Sequence, residues 1–155
     1  MTTIVLGLGL AVGGSGRADP ASDAATALTR GQYQAAVDAA SAGLAKEPKN
    51  PWLHYEKGCA LVDLGSLEDG IAELRQAQRL FAGVHEQGLA IYRIAVAEET
   101  AKRCPDAQRD FAAYAALVRG SEPQSAELAK KYADTCGQPP EVQTVSGHDK
   151  DTPRR

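Results

Sequence analysis

The sequence predicts an all-α fold, a helical-hairpin solenoid of about three helix pairs closed by a C-terminal capping helix. Three observations carry this. Like residues recur thirty-four positions apart: Gly31 with Gly65, Tyr33 with Leu67, Ala36 with Gly70, Val37 with Ile71, Ala40 with Leu74 and Gly43 with Ala77. A fixed period of that size marks stacked two-helix units. Within each segment the apolar residues keep helical spacing. Aromatics are sparse at 5% and Ala carries much of the apolar content, which suits close-packed helices and disfavours sheets.

At 155 residues the chain has the size of one domain and is long enough to bury a core. Its 17 Lys and Arg against 20 Asp and Glu give a net charge of -3, with no long basic run, which argues against a nucleic-acid partner.

Residues 1–18 differ in composition from the rest of the chain. Ile4 to Val12 is a short apolar run, Gly13 to Gly16 is small and flexible, and Gly16-Arg17-Ala18 sets small residues at the sites that a signal peptidase reads. The segment reads as a secretory signal peptide cut before Asp19, although it lacks a basic start. Nine apolar residues are too few to span a bilayer, so the mature chain is expected to have no membrane span. VLGLGLAVGG also resembles in part the glycine turn of a dinucleotide site. Gly7 and Gly9 fit G-x-G-x-x-G, but Val12 stands at the third glycine and no βαβ pattern comes after it. An uncleaved disordered tail is the third reading.

Pro20 to Arg30 is Ala-rich, with Pro at a helix start and Gly31 as a stop. The second helix runs from Tyr33 to Lys46, with Ala36, Val37, Ala40, Gly43 and Leu44 on one stripe, and Pro48-Lys49-Asn50-Pro51 is a turn. The third, Pro51 to Leu64, ends at Gly65 as the first ended at Gly31; the fourth, Leu67 to Phe81, carries Ile71, Leu74 and Ala77. A fifth spans Glu86 to Arg103 and a sixth Asp106 to Arg119. After Gly120, Ser121-x-x-Gln124 has the form of a capping box for a last helix through Cys136, which closes the stack. The repeat domain is thus expected over 19–137 and a disordered tail over 138–155, which lack periodicity and large apolar groups.

These residues resemble the tetratricopeptide repeat, a right-handed solenoid of helix pairs. Gly31, Tyr33, Ala36 and Pro48 match its turn, small site and terminal Pro in the first unit; Gly58, Gly65, Leu67 and Ala77 match the second. The third has Ala95 and the step Ala107-x-x-x-Phe111, but its register slips by three residues and its turn, Lys102-Arg103-Cys104-Pro105, has no Gly. The resemblance covers about Pro20 to Gly120 and identifies a scaffold better than a subfamily; joined to the expected signal peptide, it suggests a small exported repeat protein of bacterial type.

The family lines its concave face with the first helix of each pair. Carried over, that face is Trp52, Tyr55, Cys59 and Val62 in the second unit and Leu89, Tyr92, Val96 and Glu99 in the third. It is apolar with two Tyr hydroxyls and few charges, which suits a peptide or helix and not an acidic C-terminal peptide. Polar-tipped Tyr55 and Tyr92 favour a wet edge more than Trp52 does. Equally open is that the row is core, or a surface for self-association into a homo-oligomer.

Topology separates the three cysteines. The fifth helix ends beside Cys104 and the capping helix returns antiparallel to it, bringing Cys136 back. In an exported protein a Cys104–Cys136 disulfide is expected. Two separate apolar fillers, or a thiol-disulfide redox pair without C-x-x-C, are the alternatives. Cys59 is expected as a free thiol, buried or lining the groove. His54, His85 and His148 have no metal-ligand spacing and read as surface residues, and Glu98-Glu99 reads as a solvated face. No catalytic motif, metal site or cofactor site is read. The expected function is a non-enzymatic protein-protein interaction module, periplasmic or secreted, an adaptor or assembly component of a cell-envelope complex. A self-associating structural envelope protein is the alternative, and a redox component a third.

Overall fold

A computed structural model of the chain describes residues 19–136. The expected signal peptide and the tail therefore lie outside the described residues. Those described form seven helices and no strand: α1 (Pro20–Thr29), α2 (Tyr33–Leu44), α3 (Pro51–Asp63), α4 (Leu67–Leu80), α5 (Val84–Thr100), α6 (Cys104–Val118) and α7 (Pro123–Thr135). The chain divides into two compact units, one ending at Ala90 and the other beginning at Ile91.

Three helices end in the same way. Gly31, Gly65 and Lys102 have φ of 70°, 85° and 61°. At each, the left-handed residue donates its N–H to a carbonyl three back, Leu28, Val62 and Glu99, and the next residue donates to one five back, Ala27, Leu61 and Glu98. This double bond satisfies carbonyls that a helix end leaves open. The next residues in the chain, Gln32, Ser66 and Arg103, share φ near -87°, -81° and -92° with ψ of 62°, 64° and 63°, and none caps with its side chain. The turn without glycine thus has the geometry of the two with it. Its register slip comes from longer helices, α4 and α5 having 14 and 17 residues against 12 and 13 in α2 and α3, offset in part by a shorter connection between them.

In the first unit α1, α2 and α3 pack on one another and α3 packs on α4. Ala24, Ala40 and Leu53 are fully buried together. Small residues decide the spacing. A Cβ on Gly43 would lie 2.8 Å from both Leu53 Cδ1 and Pro20 Cβ, so α2 meets α1 and α3 at that point with no room for a methyl group. Ala77, Phe81 and Ala90 form a second buried cluster, with Tyr55 against it.

The second unit is built on Phe111, fully buried among Ala95, Ala107, Ala115, Val118, Ala126, Ala129 and Ala133. Alanines on α7 let it lie close on α6, while Glu127, Lys130, Lys131 and Asp134 face solvent as their spacing predicts. The expected capping box does not form. Glu122 is the residue before the helix and makes no side-chain cap, while the Ser121 hydroxyl donates backwards to the Val118 carbonyl at 3.4 Å. Ser121 comes so soon after the end of α6 that the nearest acceptor is the carbonyl behind it. Cys104 and Cys136 are disulfide-bonded, with Cα atoms 5.5 Å apart.

Candidate functional site

The start of α3 is pinned from several sides. Asn50 is its N-cap, its Oδ1 accepting from the N–H of Trp52 at 3.0 Å and of Leu53 at 3.4 Å, while its Nδ2 donates to Glu47 Oε2 at 2.8 Å. One turn on, His54 Nδ1 meets Glu73 Oε2 on α4 at 2.6 Å, its Nε2 meets the Pro48 carbonyl at 3.1 Å, and Lys57 Nζ pairs with Glu73 Oε1 at 2.7 Å. Both ring nitrogens of His54 therefore face oxygen acceptors. Burial pushes the Glu73 carboxyl up, but hydrogen bonds and charge from Lys57 and His54 outweigh it and hold the group below its ordinary value.

On this fixed turn stands an aromatic cluster. Trp52 lies edge-on to Phe81 at 4.9 Å and to Tyr55 at 6.0 Å, and Tyr55 to Phe81 at 6.2 Å. Such contacts add about 0.5–1.5 kcal/mol each to the area they bury. Phe81 and Tyr55 hold Trp52 in place, yet Trp52 is 42% exposed. Beside it, Glu47 to Pro51 line an open hollow of about 520 Å³. Phe81 is the member outside the expected face; it is the C-cap that follows α4, where the backbone turns to an extended conformation (φ -65°, ψ 129°), and this takes its ring off the α4 stripe.

The remaining candidates fall into three kinds. Val62 is half-buried with its Cγ2 over Gly70, 2.6 Å from where a Cβ there would stand, and so belongs to the α3–α4 contact. Cys59 is buried and no part of the disulfide. Leu89 and Glu99 are half-buried. In the second unit Tyr92 lies 5.9 Å from Phe111 and 5.3 Å from Tyr114, and Val96 packs against the same core. Burial, with Tyr132 and Tyr114 nearby, raises the Tyr92 hydroxyl pKa. Exposure therefore ranks Trp52, 42% exposed, above Tyr55 and Tyr92, which are half-buried, the reverse of the order expected from their polar tips.

Two surface expectations are corrected. His54 is not a solvated histidine but is half-buried and bonded to the Glu73 carboxylate, since the α3–α4 contact brings Glu73 beneath it. Glu98 is 3% exposed, because adjacent helical residues diverge and Glu98 takes the inward direction while Glu99 takes the outer one. The described residues hold no cluster of three or more His, Cys, Asp or Glu that would bind a metal, and no described helix is long and apolar enough to cross a membrane.

A further buried acid, Glu56 on α3, is 7% exposed, and its Oε2 has no hydrogen-bond partner. Burial first, then the nearby Asp19 carboxylate, push its pKa up to about 7. Leu53, Glu56 and Ala60 share one helix face, and that placement of a carboxyl on an apolar stripe was the available sequence signal.

No protein-family model matches the chain, and no curated protein or solved structure matches it.

Proposed function

We propose that the chain is an exported helical-repeat adaptor of tetratricopeptide type, which binds an apolar segment of a partner protein with Trp52 as its anchor. The observation that carries this is an indole 42% exposed yet braced by Tyr55 and Phe81. A rigid, half-covered aromatic ring loses little freedom on binding and buries a large area, the profile of an interface hot spot. The three turns of one geometry support the paired-helix repeat, and the disulfide supports an oxidising compartment.

The test is site-specific photocrosslinking in the native host, with the crosslinker at Trp52 and, as a control, at exposed Ala112 on α6, then binding of each captured segment to the wild type and to Trp52→Ala. Capture of a defined partner at Trp52, with at least tenfold weaker binding to Trp52→Ala, supports the reading. Capture of a second copy instead, with loss of dimer in Trp52→Ala by light scattering, replaces it by self-association. Equal capture at both positions sinks it.

A further inference from the structure

Glu56 lies on α3 three residues after Leu53, so the two share a face. Leu53 Cδ1 and Pro20 Cβ converge on one spot, each 2.8 Å from where a Cβ on Gly43 would stand. The first turn of α1 therefore sits over the Leu53–Glu56 face of α3. Asp19, immediately before Pro20, is the N-cap of α1, and its carboxylate accepts from the Ala21 N–H at 3.2 Å. A buried carboxyl with an unpartnered oxygen thus lies close to the start of a ten-residue helix, the end that favours a negative charge.

Other charges on the elements around this place are committed elsewhere or exposed. On α3 itself His54 and Lys57 are committed to Glu73 of α4. Asp23 on α1, Asp38 on α2, and Glu68, Asp69 and Arg79 on α4 are exposed. Arg75 of α4 is half-buried with interactions of its own. Asp19 alone among them has a field felt at Glu56, and it is repulsive. Burying a carboxylate without a cation is costly, and one cation is latent at that place.

We propose that the chain is cut between Ala18 and Asp19, and that the α-ammonium so released at the N-cap of α1 is the counter-ion of Glu56. This rests on the export reading above and adds to it a structural use for the new terminus. A signal peptidase hydrolyses the Ala18–Asp19 amide: the water hydroxyl goes to the Ala18 carbonyl carbon, its proton goes to the Asp19 nitrogen, and the amine takes up a further proton from solvent. Cleavage thereby delivers a positive charge beside the acid, so the first unit reaches full stability at neutral pH only after export.

The experiment uses the full chain, exported from a bacterial host, against the same chain retained in the cytoplasm with residues 1–18 attached, each with the Cys104–Cys136 bond formed and each with and without Glu56→Gln. Intact mass reads the processing, Tm from pH 5 to 8 reads the pairing, and NMR reads the α-amino pKa of the exported chain. Expected are a mass beginning at Asp19 and an α-amino pKa about one unit above the ordinary range, a tenfold gain in proton affinity. The retained chain loses Tm on going to pH 8 and the exported chain does not, a difference that Glu56→Gln abolishes. A retained N-terminus in the exported form overturns the processing and the export reading with it. Processing before Asp19 with an ordinary α-amino pKa overturns the pairing and leaves export standing; that readout needs no Glu56 variant to fold.

Discussion

Gly58 on α3 and Gly70 on α4 face each other at a distance that no side chain fits. A Cβ on Gly58 would stand 2.7 Å from Leu74 Cγ and 3.0 Å from the Gly70 carbonyl oxygen, and one on Gly70 would stand 2.6 Å from Val62 Cγ2 and 2.9 Å from the Gly58 carbonyl oxygen. Backbone lies on both sides, so a neighbouring rotamer change does not make room. Either Gly→Ala substitution is expected to destabilise by about 1–3 kcal/mol, the size of an overpacking penalty, against the roughly 1 kcal/mol that Ala gains over Gly in a free helix. Urea unfolding monitored by circular dichroism measures it, and a more stable Gly70→Ala would show that the two helices separate at little cost.

Lys102 adopts the left-handed conformation, φ 61°, that Gly31 and Gly65 adopt at the equivalent turns. For a residue with a Cβ that conformation costs about 1–2 kcal/mol, so Lys102→Gly is expected to raise stability by about 1 kcal/mol after the entropy of the added glycine is deducted. Gly31→Ala and Gly65→Ala should lower stability by a similar amount, because space is open at both and the strain lies in φ alone. Opposite signs at equivalent turns, read by thermal unfolding, are the check.

The Cys104–Cys136 bond ties the first residue of α6 to the end of α7 across a separation of 32 residues. Removing a loop closure of that length from the unfolded state is worth about 2–4 kcal/mol. The double variant Cys104→Ala, Cys136→Ala is expected to lose that much in denaturant titrations and to be insensitive to reductant. A wild type equally stable with and without reductant would show that α7 is held by its alanine contacts alone.

Glu56 sets a pH dependence of defined sign in the chain that keeps residues 1–18. Its folded pKa, about 7, lies above the ordinary 4.5, so the folded state binds more protons than the unfolded state between those values. Stability is then full below about pH 4.5, falls as pH rises through 7, and is lower above it by about 3 kcal/mol. Glu56→Gln should flatten that fall. Glu73 has the opposite sign: its carboxyl is held below the ordinary value, so its contribution is present above that value and is lost as pH falls through the lowered one. Glu73→Gln should therefore weaken the protein at neutral pH and matter little in strong acid.

Much of the fold is legible in the residues alone. Helix ends are marked by Gly31, Gly65 and the prolines at 20, 51 and 123, and all seven helices lie within a few residues of their expected bounds. The nearness of Cys104 and Cys136 comes from chain direction, since antiparallel neighbours return to the same end, and the bond between them is expected on the reading of export. Less legible is the site. Within the row carried over from the repeat family, Tyr55 and Tyr92 are expected at the wet edge ahead of Trp52, yet exposure runs the other way, because it depends on Phe81, Gly70, Phe111 and Tyr114, which are distant in sequence.

Sequence by itself determined the helices, their order and the two glycine turns, and named Cys104 and Cys136 as neighbours, because each rests on local rules: helical spacing, φ preference and chain direction. Only the tertiary structure decided which residue of a face meets water. It buried Glu56 within reach of the Asp19 charge, turned Glu98 inward, paired His54 with Glu73 and left Trp52 standing out of its cluster. A helix face has several residues of similar direction, and the shape of the neighbour, here set by glycines and alanines, settles which of them is covered.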